Sequence, residues 1–227
     1  MGAYERLGEI CRQIRTCDNC TLSKTRKNSV PGEGPVDAEI MLISEAPGFH
    51  ENEQGRPLIG AVGSYLNELL KGSGLTRDMV FITNVVKCRP PGNRDPLPDE
   101  LAACSAFLDH QIETINPKLV ITLGRYATAR FFPMGKISLI HGQPGWIKGR
   151  LVVPMYHPAA ALQQPALRLV IEENFSSLRE WLNQVKLRHA VMMDNKPATP
   201  TAKIASNGLT NEKPAESEEP LSQLRLF

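Results

Sequence analysis

The sequence lacks the features that would send a chain into a membrane or out of the cell. No apolar run in its 227 residues approaches the ~20 that a spanning helix requires. The opening Met1-Gly2-Ala3-Tyr4-Glu5 has no basic region followed by an apolar one, so no secretory signal is read and a cytoplasmic protein is expected. Charge of one sign is also missing. With 26 Lys and Arg against 24 Asp and Glu, the formal net charge is +2, without the basic excess that marks many nucleic-acid binders. Local patches decide that question more than the sum does. Internal repeats are absent.

Cysteine is sparse but patterned. In a reducing compartment the five thiols are not expected to pair as disulfides. Cys17 and Cys20 form a C-x2-C pair, and Cys88 and Cys104 lie far downstream. Two such pairs brought together give four thiolates, which suits tetrahedral zinc or a four-iron cluster, and spacing does not choose between them. Cys11 is left over and reads as a small buried hydrophobe.

Helical and strand-like patterns alternate along the chain. A first helix is expected over Tyr4–Thr16, from Leu7, Ile10, Cys11 and Ile14 at helical spacing, followed by a basic loop over Thr21–Asp37. Strands are expected at 39–44, 80–86, 118–123 and 151–155, and helices at 62–75, 98–115, 125–132 and, as one long final helix, 165–187. Such alternation predicts an α/β protein, a three-layer α/β/α sandwich around a central four-stranded parallel sheet. Ligands of these sheets bind beyond the C-terminal strand ends. From Asn195 onward Pro, Ala, Thr, Ser, Asn, Lys and Glu dominate, so 1–194 is expected to be the folded domain and 195–222 a disordered linker.

Three clusters sit where strands should end. In Ser44-Glu45-Ala46-Pro47-Gly48 and the following Phe49-His50-Glu51-Asn52, small residues permit close backbone approach while carboxylates are suited to orienting a water. By itself this reads as an acidic surface loop. Next, Asn84 interrupts an apolar strand, and its amide offers both a donor and an acceptor to a ligand edge. Behind it runs Lys87-Cys88-Arg89-Pro90-Pro91-Gly92-Asn93-Arg94, a rigid basic loop. Last, Tyr156-His157-Pro158-Ala159-Ala160-Ala161-Leu162 places a histidine where it can stabilise negative charge, with a leucine suited to wedging into a DNA groove.

Taken together, these motifs resemble the family 4, iron–sulfur uracil-DNA glycosylases, over a stretch from about Cys17 to Pro165. The resemblance implies a DNA-repair enzyme that hydrolyses the N-glycosidic bond of deoxyuridine, acting on uracil flipped out of single- or double-stranded DNA. It implies a [4Fe-4S] cluster on Cys17, Cys20, Cys88 and Cys104, with a structural role that would set Lys87, Arg89 and Arg94 near phosphates. It also implies a uracil pocket formed by Ala46, Gly48, Leu58, Asn84 and His157. His157 donates to the leaving base, and Glu51 positions the water with Glu45 as supporting or alternative carboxylate. Four departures stand out: Ser44 for the usual Gly, read as a small adjustment of the turn; Leu58 for a stacking Phe, with Phe49 as a possible replacement; Asn52 for Asp; and Gln163-Gln164-Pro165 for Arg-Asn-Pro. The run by which some relatives attach covalently to uracil is missing, so ordinary turnover is expected.

Rival readings are a non-catalytic iron–sulfur DNA-binding module, a glycosylase for hypoxanthine or xanthine, and a zinc protein. Finally, Gln223-Leu224-Arg225-Leu226-Phe227 resembles peptides that dock on the bacterial β sliding clamp. Gln223 would make polar contacts there while Leu224, Leu226 and Phe227 supply the apolar anchor. A monomer is the default.

Overall fold

The structure, a computed structural model, describes residues 1–194. Its centre is a five-stranded sheet in the order β2-β1-β3-β5-β4. The strands are β1 Ile40–Ser44, β2 Val80–Asn84, β3 Leu119–Leu123, β4 Gly145–Ile147 and β5 Arg150–Met155. The four expected strands are all present and mutually parallel. The fifth, β4, pairs antiparallel with β5 and corrects the expected strand count. It escaped notice because it is three residues long and its hairpin turn is Lys148-Gly149. Both turn residues take positive φ, +48° and +78°, the geometry that two-residue hairpins favour.

β1 and β3 are buried along their whole lengths, as strands covered on both faces must be. Even-numbered residues of β1 and β2 (Ile40, Leu42, Val80, Ile82) point to one layer with Leu66, Leu70, Phe175 and Trp181. Met41, Ile43 and Phe81 point to the other, against Leu7, Leu108 and Ile112. The first layer is built from α3 Gly60–Gly72, α8 Arg168–Ser176 and α9 Leu178–Asp194. The second comes from α1 Ala3–Thr16 and α4 Pro98–Ile115. Shorter helices are α2 Phe49–Gln54, α5 Arg125–Ala129, α6 Ile137–Ile140 and α7 Pro158–Gln163.

Two expectations are corrected here. The single final helix is broken: a short turn at Pro165–Leu167 leads into α8, which ends before α9 begins at Leu178. Ser73 Oγ donates to the Phe175 carbonyl at 2.7 Å, occupying an acceptor that a continuous helix would direct to its own backbone. The acidic stretch after Gly48 is a helix, α2, rather than a loop. Glu51 starts it by accepting the Gly48 N–H at 3.1 Å, a capping contact between positions three apart.

The chain passes from β1 outward to β2, then crosses to β3 on the other side of β1. Beyond the C-terminal end of β1, loops therefore diverge and leave a crevice, the usual ligand position in open α/β sheets.

Candidate active site

That crevice holds a cavity of about 320 Å³, within the range of small-ligand sites. Glu45, Ala46, Gly48, Glu51, Leu58, Asn84 and His157, all singled out from sequence, line it together with Ser44. Ser44 and Asn84 end β1 and β2 and are register partners, so their side chains leave the sheet on the same face. The loop after Cys88 supplies the opposite wall through Pro90, Asn93, Arg94 and Asp95.

Asn84 is 1% exposed, and its Nδ2 has no hydrogen-bond partner among the described residues. A buried amide donor left unpaired costs ~1–3 kcal/mol, so such a group calls for an explanation, and a ligand supplies one. The backbone carbonyl of Asn84 is fixed from behind. Lys87 Nζ donates to it at 2.7 Å, and also to Thr83 Oγ1 and Gln111 Oε1 at 2.7 Å each. Lys87 is 1% exposed, and burial lowers its pKa to about 8. The expectation that it reaches toward phosphates is thus corrected: all three of its protons are spent inside the protein.

His157 follows β5 and caps α7. Its Nδ1 accepts the Ala159 N–H at 3.0 Å, so in the neutral ring the proton resides on Nε2. Nε2 lies 2.8 Å from Ser44 Oγ. Burial pushes the imidazole pKa down to about 4. At neutral pH the ring is an uncharged donor with a fixed tautomer.

The two candidate carboxylates are both engaged with backbone. Glu51 accepts from Gly48 N at 3.1 Å and from Ile59 N at 3.0 Å, one to each oxygen. Glu45 accepts from Tyr126 N at 3.0 Å, and burial raises its pKa. Glu45 packs so tightly on Gly124, at φ +92°, that a Cβ there would stand 2.5 Å from its Oε1. Both carboxylates also line the cavity. Asn52, found where the resemblance has Asp, still works as an acceptor, taking the Lys27 N–H at 2.9 Å.

Leu58 is buried and has φ +44°, a strained backbone for a branched residue. Neighbours over-determine it. Arg77 donates to the Pro57 carbonyl and, at 3.0 Å, to that of Leu58. Arg77 and Arg56 both pair with Glu33, whose pKa falls to about 2, first through Arg56. Gly63 admits the Leu58 carbonyl so closely that a Cβ would meet it at 2.2 Å. Phe49 does not line the cavity and does not replace the missing aromatic. It is 54% exposed, with the Arg89 guanidinium 5.3 Å from its ring centre. Arg94 binds Glu100 through both terminal nitrogens, at 2.9 and 2.6 Å. Leu162 of α7, the wedge candidate, is 51% exposed.

A second cavity lies behind the Asn84–Cys88 segment. Cys17, Cys20, Cys88 and Cys104 line it, with Leu22, Val86 and Phe107 between them. Lys87 N donates to Cys104 Sγ at 3.2 Å, and Arg26 to Cys88 Sγ at 3.1 Å. Burial raises the Cys88 thiol pKa and lifts Cys104 to about 11. Cys11 lies apart, half-buried in the α1 layer. Among the described residues, no three His, Cys, Asp or Glu side chains are gathered as ligands of a single ion. Gln223, Leu224, Leu226 and Phe227 lie outside the described residues, as does the expected linker. No helix among the described residues is long and apolar enough to cross a membrane.

Asn84, the neutral His157 and the carboxylates Glu45 and Glu51 thus share one crevice at the switch point of a mostly parallel sheet. The model of the uracil DNA glycosylase superfamily matches residues 31–186, and the chain belongs to that superfamily. Within it, the chain is similar to proteins named Type-4 uracil-DNA glycosylase. It is 48% identical to that of Sulfurisphaera tokodaii over 78% of this chain and 84% of the relative. It is 46% identical to that of Saccharolobus solfataricus over 79% and 88%, and 40% identical to that of Thermotoga maritima over 81% and 99%.

Proposed function

We propose that this chain is a uracil-DNA glycosylase of DNA repair, hydrolysing the bond between uracil and deoxyribose in DNA. The observation that carries the reading is the unpaired, buried Asn84 amide beside a neutral, tautomer-locked His157 in one crevice. Similarity to the Type-4 enzymes over most of the chain supports it.

In this reading the target nucleotide leaves the stack, since the bond is unreachable inside a duplex. Asn84 pairs with the polar edge of the base, and Ala46, Gly48 and Leu58 shape the pocket around it. His157 provides the neutral donor that stabilises the leaving uracil anion. Glu51 holds the water from its free lone pair, with Glu45 in support. A neutral His suits this task, because a charged one would be costly in so enclosed a site.

Cys17, Cys20, Cys88 and Cys104 fit a [4Fe-4S] cluster. Four thiols surround one largely apolar cavity, two of their sulfurs accept N–H bonds, and thiols with raised pKa values become thiolates when a metal binds. When bound, the cluster would supply structural support, tying the segment after α1 to the loop after β2. Glycosidic hydrolysis itself transfers no electrons. Gln223, Leu224, Leu226 and Phe227 are proposed as a docking peptide for a β sliding clamp. Deleting 223–227 is expected to abolish clamp pull-down while leaving cleavage of short oligonucleotides intact.

The test of the activity is uracil release from a single-uracil oligonucleotide. Wild-type protein should cleave, and His157→Ala and Asn84→Ala should each slow it by about 10²–10³-fold, the cost of losing one pre-organised donor. Wild type with its visible chromophore intact and no uracil release would overturn the reading.

A further inference from the structure

We propose that Ser44 is itself a catalytic residue, through which His157 delivers its hydrogen bond to the base. The inference deepens the reading of the crevice as a uracil site and rests on it. Ser44 is 0% exposed, lines the crevice and sits beside Asn84 in the sheet register. Its Oγ is 2.8 Å from His157 Nε2, and among the described residues the hydroxyl makes no other hydrogen bond.

The direction of that contact follows from the other side of the ring. Ala159 N–H is a donor and cannot be turned round, so Nδ1 is the acceptor and Nε2 carries the hydrogen. Ser44 Oγ is therefore the acceptor at Nε2. A hydroxyl has one proton and two lone pairs. With the imidazole side closed to it, that proton is available to the crevice, where Asn84 Nδ2 also waits without a partner. The result is a directed chain: Ala159 N–H to Nδ1, Nε2–H to Oγ, and Oγ–H to the base oxygen on which charge develops. Each link polarises the next. No covalent bond to Ser44 forms or breaks.

With glycine at this position the imidazole would face the base directly. Serine interposes one atom and moves the contact point toward Asn84. The side chain that touches uracil is then Ser44, with His157 behind it.

Single-turnover uracil release should be compared for Ser44→Ala, Ser44→Thr, His157→Ala and the Ser44→Ala/His157→Ala double variant. Ser44→Ala should be slower by about 10²-fold, while Ser44→Thr, which keeps the hydroxyl, should stay within about tenfold of wild type. Because one chain is broken in either case, the double variant should match His157→Ala to within about threefold. In free protein the His157 Nε2 proton should give a slowly exchanging NMR signal that disappears in Ser44→Ala. Ser44→Ala cleaving as fast as wild type, or single effects that multiply in the double variant, overturns the inference. Wild type releasing no uracil overturns the underlying reading and this inference together. Wild type and Ser44→Ala cleaving equally overturns this inference alone.

Discussion

Lys87 Nζ and the main-chain carbonyl of Asn84 are 2.7 Å apart, while Lys87 N donates to the sulfur of Cys104. One residue thus braces the crevice at Asn84 with its side chain and the thiol cavity with its backbone. Replacing Lys87 by Met keeps the bulk and leaves the acceptors of Thr83, Asn84 and Gln111 without their donor. A loss of about 3 kcal/mol is expected, measured by urea denaturation. Catalysis should weaken with it, because the Asn84 carbonyl is then free to shift.

Asn84 offers the opposite trade. Its Nδ2 is unpaired in the free protein, so truncation removes an unsatisfied donor. Asn84→Ala is expected to change stability by less than about 1 kcal/mol, well below the usual cost at a buried site, and to slow uracil release strongly. Thermal melts and cleavage assays on one preparation separate the two effects. A large drop in Tm would show that the amide is structural.

The pH dependence follows from His157. Its folded pKa is about 4, against an unfolded value near ~6.5. Folding thus excludes a proton, and the unfolded state binds more of them between these limits. Stability from this group is present above about pH 6.5 and is lost as pH falls toward 4. The wild type should lose more Tm than His157→Ala over that interval. Uracil release that depends on a neutral ring should hold down to about pH 5 and fall below it.

Leu58 lines the crevice and is proposed to contact the base. Leu58→Phe restores an aromatic face, and a stacking gain of ~1–3 kcal/mol per base should lower KM and strengthen inhibition by free uracil. Unchanged inhibition would place the base away from Leu58.

The thiol cavity makes a visible prediction. Protein purified without oxygen should be brown, absorbing near ~400 nm as zinc with its filled d-shell does not. Substituting Cys88 or Cys104 by Ala should bleach it and lower Tm.

The fold was largely legible because β1, β2, β3 and β5 are rich in apolar residues and almost wholly buried. Asn84 and His157 were likewise legible as polar residues at strand ends, Ala46, Gly48, Leu58 and Glu51 were read through the resemblance, and the structure brings them around one cavity. Contacts between distant segments were not. Nothing in the sequence around Ser44 announces that its hydroxyl meets an imidazole 113 positions away, so it was read as a turn adjustment. Lys87 was taken for a phosphate-facing cation because its neighbours are basic, whereas its three acceptors are gathered only by the packing of β2 on α4. Edge strand β4 was hidden by its brevity, and the break in the last helix by a contact from Ser73, just past the end of α3.

His157 starts α7 with the same nitrogen whose occupancy fixes its tautomer. The first turn of that helix therefore cannot fray without releasing Nδ1 to take up a proton or to exchange tautomers. Local order in 158–163 and the chemical identity of the ring are one equilibrium seen from two ends. The amide exchange rate of Ala159 is consequently a gauge of how often the tautomer of His157 is momentarily released, readable without any DNA present.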